Sequence, residues 1–173
     1  MGSYSLRLEN LFIEMSFILY KARKVGLYSL HKEVELTSDL ALIKPKEYGL
    51  KIIQEGLCEE DINFLFELKK LDYIRNSEFT AQDLKLISIC LKCFVYIFKG
   101  DYEDFSSFGQ VILKMEGVES AYSFIQCINY LNKVEKNNIS ISFQEYQLFN
   151  KNKTKNSELS KNEIDELMNK FSF

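Results

Sequence analysis

Four cysteines are the residues whose type and spacing most directly suggest chemistry. They are Cys58, Cys90, Cys93 and Cys127, and the middle two form a C-x-x-C motif, a spacing that zinc sites and redox-active disulfides share. A zinc site would need two more ligands, yet the chain has only one histidine, His31. Because the motif lies in a strongly apolar helical pattern, packing as small buried side chains is the favoured interpretation. We therefore predict no metal and no cofactor.

The single histidine is a candidate catalytic base by residue type. His31 follows Leu30 and precedes Lys32 and Glu33. A general base acts on a nearby nucleophile, and none is evident beside His31. We therefore predict a solvated surface side chain.

The composition is typical of a globular and mostly helical protein. Of the 173 residues, 46% are hydrophobic and 14% aromatic, which suffices for one domain with a buried core and a tail. Proline and glycine interrupt helices, and the chain has only one proline and seven glycines. This scarcity favours helices. The sequence therefore predicts an all-α helical bundle.

Charge and hydropathy argue against two classes of partner. The net charge is −3 and the basic residues are scattered, whereas nucleic-acid binding requires a basic face. The longest apolar run, residues 84–98, contains Lys85 and Lys92 and is too short to span a bilayer. No secretory signal is visible. We expect a cytoplasmic protein that neither binds nucleic acid nor inserts into a membrane.

The first predicted helix covers residues 5–34 and has a wide apolar face. Gly26 lies inside this pattern and costs roughly 1 kcal/mol relative to alanine. Close packing against another helix would be one reason for a glycine there.

Helix start and stop signals divide the rest into a bundle of five to six helices. A second stretch follows Thr37-Ser38-Asp39 and runs to Gln54, with Pro45 either interrupting it or starting a new helix. The further helices are expected at 59–70, 80–98, 101–115 and 117–135, with glycines after several of them. Ile139, Ile141 and Phe143 alternate with polar residues, which allows one short strand at most.

The last fifteen residues, 159–173, have the pattern of an amphipathic helix. Ser160 and Glu163 have the S-x-x-E spacing of a capping box. Four apolar residues then recur at helical spacing, namely Ile164, Leu167, Met168 and Phe171. Such a short helix is marginal alone in water, and a polar linker at 151–158 precedes it. The pattern leaves two interpretations open: docking in a partner's groove, or packing on the core of the helical domain at 1–150.

This segment resembles the C-terminal peptide of CheZ-type chemotaxis phosphatases, which docks on the response regulator CheY. The match is carried by Ser160, the Ile164-Asp165 pair, Glu166-Leu167-Met168 and the terminal Phe173. It also resembles the N-terminal CheY-binding peptide of the flagellar switch protein FliM, through Leu159-Ser160 and Glu163–Leu167. The resemblance implies a protein partner bound through Ile164, Asp165, Leu167, Met168, Phe171 and Phe173.

A second resemblance covers residues 11–70 and concerns the cytoplasmic segment of MotA-type flagellar stator subunits. It is carried by the basic stretch and Gly-Leu within residues 21–30, and by the Gly-Leu-Lys-Ile-Ile-Gln-Glu-Gly run at 49–56. No membrane helices flank these segments here, so ion conduction is not implied. The two resemblances arise in different parts of the chain and both point to bacterial motility.

The CheZ likeness raises the question of phosphatase activity. That family uses Asp-x-x-x-Gln on a helix, with the amide positioning the attacking water. Here Asp104-Phe105 and Gly109-Gln-Val-Ile112 are similar, but Ser106 stands four residues before Gln110, where the acid belongs. Asp104, six residues away, falls on another side of a helix. If the chain is a phosphatase, Gln110 is the single residue to which a direct catalytic role could be assigned.

The sequence therefore predicts a non-enzymatic helical adaptor of the flagellar or chemotaxis apparatus. It would dock CheY or a motor component through residues 159–173. The alternatives are a diverged CheY phosphatase that uses Gln110, and a helical scaffold whose tail packs within its own homo-oligomer.

Overall fold

The computed structural model describes residues 3–32, 39–75, 78–118 and 121–155, without the side chains of residues 31, 32, 121–123 and 151–155. Within these ranges the chain forms helices and no strand, which confirms the predicted all-α class. The helices are α1 (Tyr4–Val25), α2 (Ile43–Gln54), α3 (Glu59–Arg75), α4 (Ala81–Lys99), α5 (Tyr102–Met115), α6 (Ala121–Lys136) and α7 (Phe143–Lys155). Two short 3-10 helices, Leu27–Lys32 and Leu40–Leu42, lie between α1 and α2.

The chain divides into two compact units, Met1–Ile139 and Ser140–Phe173. In the first unit α1 packs on α4, α5 and α6, while α4 also packs on α2, α3 and α5. Both helices are apolar over more than one face, which is why they occupy the centre. None of the described helices is both long and apolar enough to cross a bilayer.

Three fully buried aromatic rings join α1, α5 and α6. The ring centroid of Phe12 lies 5.3 Å from that of Phe124 and 6.2 Å from that of Phe105, and Phe105 lies 5.8 Å from Phe124. These tilted and edge-on arrangements are the ones that aromatic quadrupoles favour. The cluster fixes how the three helices pack.

Two glycines permit close packing of helices in this unit. A Cβ at Gly109 on α5 would lie 2.3 Å from a ring carbon of Phe124, and one at Gly49 on α2 would lie 2.2 Å from the ring of Phe94. Such distances are far inside van der Waals contact. A hydrogen atom in place of a side chain therefore lets each helix approach its neighbour's aromatic ring.

The first helix ends earlier than predicted, at Val25, and Gly26 is the cause. Its φ of +84° is a conformation that L side chains rarely adopt. A Cβ there would meet no atom within 4 Å, so the packing interpretation of this glycine was wrong. Gly26 ends α1, and the 3-10 helix Leu27–Lys32 follows. In the opposite direction, α3 runs to Arg75, beyond the predicted end near residue 70.

The region predicted to hold at most one short strand instead leads into α7. Ser142 and Glu145 form a capping box, in which the serine hydroxyl accepts from the Glu145 amide and the carboxylate accepts from the Ser142 amide. Because α7 continues to Lys155, residues 151–155 of the predicted linker are helical. Residues 156–173 lie outside the described part of the chain.

Candidate functional site

Three of the four cysteines occupy the environments expected of unreactive thiols. All four are free; Cys90, Cys93 and Cys127 are buried and Cys58 is exposed. Burial raises the pKa of Cys90 to about 12 and the pKa of Cys93 well above its ordinary value. This confirms that the C-x-x-C motif is a packing feature of α4. Among the described residues, no three histidine, cysteine or acidic side chains are grouped to hold a metal ion.

The predicted docking residues fall outside the described part of the chain. These residues are Ile164, Asp165, Leu167, Met168, Phe171 and Phe173. Their role in binding a partner therefore stays a prediction. The backbone of His31 belongs to the first 3-10 helix, and its side chain is also outside the description.

The structure places Gln110 on α5, half-buried and bonded within its own helix. Its side-chain amide donates to the Ser106 hydroxyl at 3.1 Å. Asp104 lies exposed in the first turn of α5, six residues away, which on an α-helix corresponds to another side. Gly109, part of the motif that resembles the phosphatases, is explained by its contact with Phe124. The geometry therefore does not bring Gln110 and Asp104 together as a catalytic pair.

An ion-pair network that sequence reasoning missed joins three segments of the first unit. The Arg7 guanidinium on α1 donates two hydrogen bonds to Asp39, from Nε at 2.8 Å and from Nη2 at 3.1 Å. Its Nη2 also donates to Asp83 at 2.6 Å. The hydrogen bond to Asp39 raises the pKa of Arg7. Burial alone would raise the pKa of Asp83, but the hydrogen bonds from Thr80 and Arg7 lower it overall. The Arg7 guanidinium and the Asp83 carboxylate are therefore held in their charged forms.

A second missed pair lies deeper in the same unit. The Lys46 ammonium on α2 contacts the Glu14 carboxylate on α1. The Lys46 side chain is only 1% exposed and that of Glu14 12% exposed. Because a charge taken out of water needs a close partner, each group depends on the other.

These charges border a cleft on the first unit. It has a volume of about 410 Å³ and is lined by Arg7, Asn10, Glu14, Asp39, Leu40 and Asp83, among others. The three carboxylates are each paired with Arg7 or Lys46. The arrangement joins α1, α2 and α4 to the 3-10 helix Leu40–Leu42. Its chemistry is that of a structural ion-pair network.

The described surface also carries a continuous apolar strip along α3. Phe64, Leu68, Leu71 and Ile74 are 62%, 46%, 49% and 59% exposed; we call these four residues the α3 stripe. The opposite side of the same helix is buried through Ile62, Phe66 and Tyr73. The i, i+4, i+7, i+10 spacing of the stripe is present in the sequence, but the apolar residues of the buried side obscure it.

Comparison with known proteins gives no identification. No model of a known family matches this chain, no curated protein matches it and no solved structure matches it. The resemblances to chemotaxis phosphatases and stator subunits therefore stay predictions. The glycines of the stator-like segment have structural roles in this fold, because Gly49 contacts Phe94 and Gly56, at φ +72°, follows the end of α2.

Proposed function

We propose that this chain is a non-enzymatic helical adaptor that docks a protein partner through residues 159–173. The observation that carries the proposal is the pattern of that segment, a capping box followed by an apolar stripe at helical spacing. Polar residues precede it, and nothing in the run from Lys151 to Ser157 is apolar. The body of the adaptor is the helical unit described above.

The resemblance of this segment to CheY-binding peptides indicates the class of partner. A response regulator or a component of the flagellar motor is the partner we propose, and we propose that the two proteins meet in the cytoplasm. The contacts of Gln110 support an adaptor over a phosphatase, since its amide bonds to Ser106 of its own helix. A water-positioning side chain would need that amide directed at the partner.

Binding of the full chain to a purified CheY-type receiver tests the proposal. We expect Ile164→Asp and Leu167→Asp each to weaken binding at least about tenfold, because a charge is placed in the apolar contact. Asn156→Asp is the matched control: it adds the same charge in the polar run that precedes the segment, outside the proposed contact residues, and should leave the affinity unchanged. Titration calorimetry measures the affinity of each variant for the phosphorylated and for the unphosphorylated receiver.

The same samples separate the adaptor from the phosphatase and from a self-packed tail. An adaptor leaves the rate of receiver dephosphorylation unchanged, in the wild type and in Gln110→Ala. Acceleration that Gln110→Ala abolishes would establish the phosphatase instead. If Ile164→Asp lowers the free energy of unfolding of the chain, the segment serves its own core and the proposal fails.

A further inference from the structure

The α3 stripe is an exposed apolar side of a helix whose opposite side is already buried. At about 100° per residue, Phe64, Leu68 and Leu71 lie within about 60° of one another around the helix. Ile62, Phe66 and Tyr73 lie about 180° from them and face α2 and α4. The stripe is therefore not needed for the packing of α3 within its own unit. Contiguous exposed apolar surface of this kind marks interaction sites.

We infer that the α3 stripe is the interface of a homodimer in which two copies of α3 pack antiparallel about a two-fold axis at Leu68. The occupant is identified by the charges at the two ends of the stripe. Exposed Asp61 lies at the N-terminal end and exposed Arg75 at the C-terminal end, both on the same side of the helix as Leu68. The exposed carboxylates beside the stripe, Glu67 and Asp72, are paired with Lys70 and Lys69 of the same helix. A partner surface complementary to this one must be basic, then apolar, then acidic. The reversed α3 of a second copy has that order.

The register of the pair follows from the numbering. In an antiparallel pair centred on Leu68, residues equidistant from position 68 face each other across the axis. Asp61 is seven residues before Leu68 and Arg75 is seven residues after it. Each Asp61 therefore faces Arg75 of the other copy, and each Phe64 lies beside Leu71 and Asp72 of the other copy. The interface is isologous, as two-fold symmetry requires.

The helix dipoles favour the same orientation. Antiparallel packing places the acidic N-terminal turn of one α3, with Glu59, Glu60 and Asp61, beside the C-terminal end of the other helix with its Arg75. A parallel pair would instead bring the two acidic turns together and oppose like charges. The charge distribution thus selects the antiparallel dimer over the parallel one.

The size of the surface indicates a weak dimer. A helix of 17 residues is about 25 Å long, and a single helix pair buries less than the roughly 800 Å² per partner of a standard interface. A dissociation constant on the order of 10–100 µM is expected for such a contact. Monomer and dimer would then exchange over concentrations that sedimentation experiments reach.

Sedimentation equilibrium of the full chain, from 5 µM to 1 mM, tests the proposal. We expect a monomer–dimer equilibrium that Leu68→Lys weakens at least about tenfold, because it sets two like charges together at the axis. Val111→Lys is the matched control, since Val111 is 55% exposed on α5 and should leave the equilibrium unchanged. A wild-type chain that stays monomeric at 1 mM would overturn the inference.

A charge-reversal cycle tests the register and the orientation. Asp61→Arg and Arg75→Asp should each weaken the dimer about tenfold, since two facing pairs become repulsive in each. The double variant Asp61→Arg/Arg75→Asp should restore wild-type association. If the double variant is as weak as the single ones, the antiparallel register is wrong.

The remaining occupants of the stripe are distinguished in the same experiment. A chain ending at Ser157 should dimerise like the full chain, because the interface uses only α3. Association that depends on residues 158–173, or that Ile164→Asp abolishes, would assign the contact to the tail and overturn the α3 dimer. Receiver binding by Leu68→Lys is measured in parallel, so that failure of the dimer and failure of the proposed adaptor function are told apart.

Discussion

At the scale of single residues, a charge in the interior has large consequences for stability. Lys46 is almost fully buried, and its ammonium depends on one carboxylate, that of Glu14. A buried pair contributes little net stability when intact, since desolvation offsets the attraction. Removal of one partner is different, because it leaves an uncompensated charge in a medium of low dielectric constant.

We therefore expect Glu14→Gln to lower the free energy of unfolding by about 3 kcal/mol. The double variant Glu14→Leu/Lys46→Met should recover most of that loss, because it replaces both charges with apolar side chains of similar size. Urea denaturation of the single and double variants measures both values. A Glu14→Gln chain within about 0.5 kcal/mol of wild type would show that Lys46 does not depend on this carboxylate.

At the scale of helices, most boundaries could be predicted because the signals are local. Thr80 and Asp83 form a capping box at the start of α4, and Gly100 ends that helix in the left-handed conformation. Gly26 was misread because the apolar pattern continues past it, and only its backbone conformation shows that α1 ends there. Arg7 pairs with residues 32 and 76 positions away, a contact that no local pattern reveals.

The candidate sites also divide into those that the local sequence predicts and those that depend on distant parts of the chain. The burial of Cys90 and Cys93 could be predicted because their apolar neighbours in sequence are also their neighbours in α4. Gln110 was singled out from the residues around it, but its function depends on which side of α5 faces a partner. The exposure of the α3 stripe could not be predicted, because its apolar spacing coexists with a second apolar side formed by residues such as Phe66.

Asp83 connects two elements, and acid should therefore weaken them together. The carboxylate accepts from Thr80 within its own cap and from Arg7 on α1, and its pKa lies below the ordinary 3.8. A carboxylate with a lowered pKa stabilises the fold above its unfolded pKa and loses that contribution as the pH falls through the folded value.

We expect Asp83→Asn to lower the free energy of unfolding by about 1.5–3 kcal/mol at pH 7. The difference from wild type should be constant above pH 5 or so and should shrink below about pH 4. Denaturant titrations between pH 3 and pH 7 measure it. Asp72→Asn is the control, since that carboxylate is 61% exposed and its loss should have little effect at any pH. A difference that grows on acidification would contradict the assigned role.

At the scale of the whole molecule, the reaction rates of the buried thiols depend on how the helical unit opens. Cys90 and Cys93 lie in α4 and Cys127 in α6, and all three are buried. α4 and α6 both pack on α1. Opening that exposes one of these thiols must therefore separate the central helices, whereas Cys58 is exposed without any opening.

We expect one of the four thiols to react quickly with a disulfide reagent at pH 8, and the other three to react together at the rate of global unfolding. The Cys58→Ser variant should lose only the fast phase. Time courses of the released chromophore, with and without denaturant, measure both phases. A thiol that still reacts quickly in the Cys58→Ser variant would show that α4 or α6 opens independently.

The contact between Gly109 and the Phe124 ring also has an evolutionary consequence. Because a side chain at position 109 would overlap the Phe124 ring, the substitutions tolerated at either position depend on the residue at the other. A methyl group at 109 becomes tolerable when the side chain at 124 is trimmed by a similar volume. Divergence of this fold would therefore pass through paired, volume-conserving exchanges between α5 and α6, leaving a covariation signal at these positions.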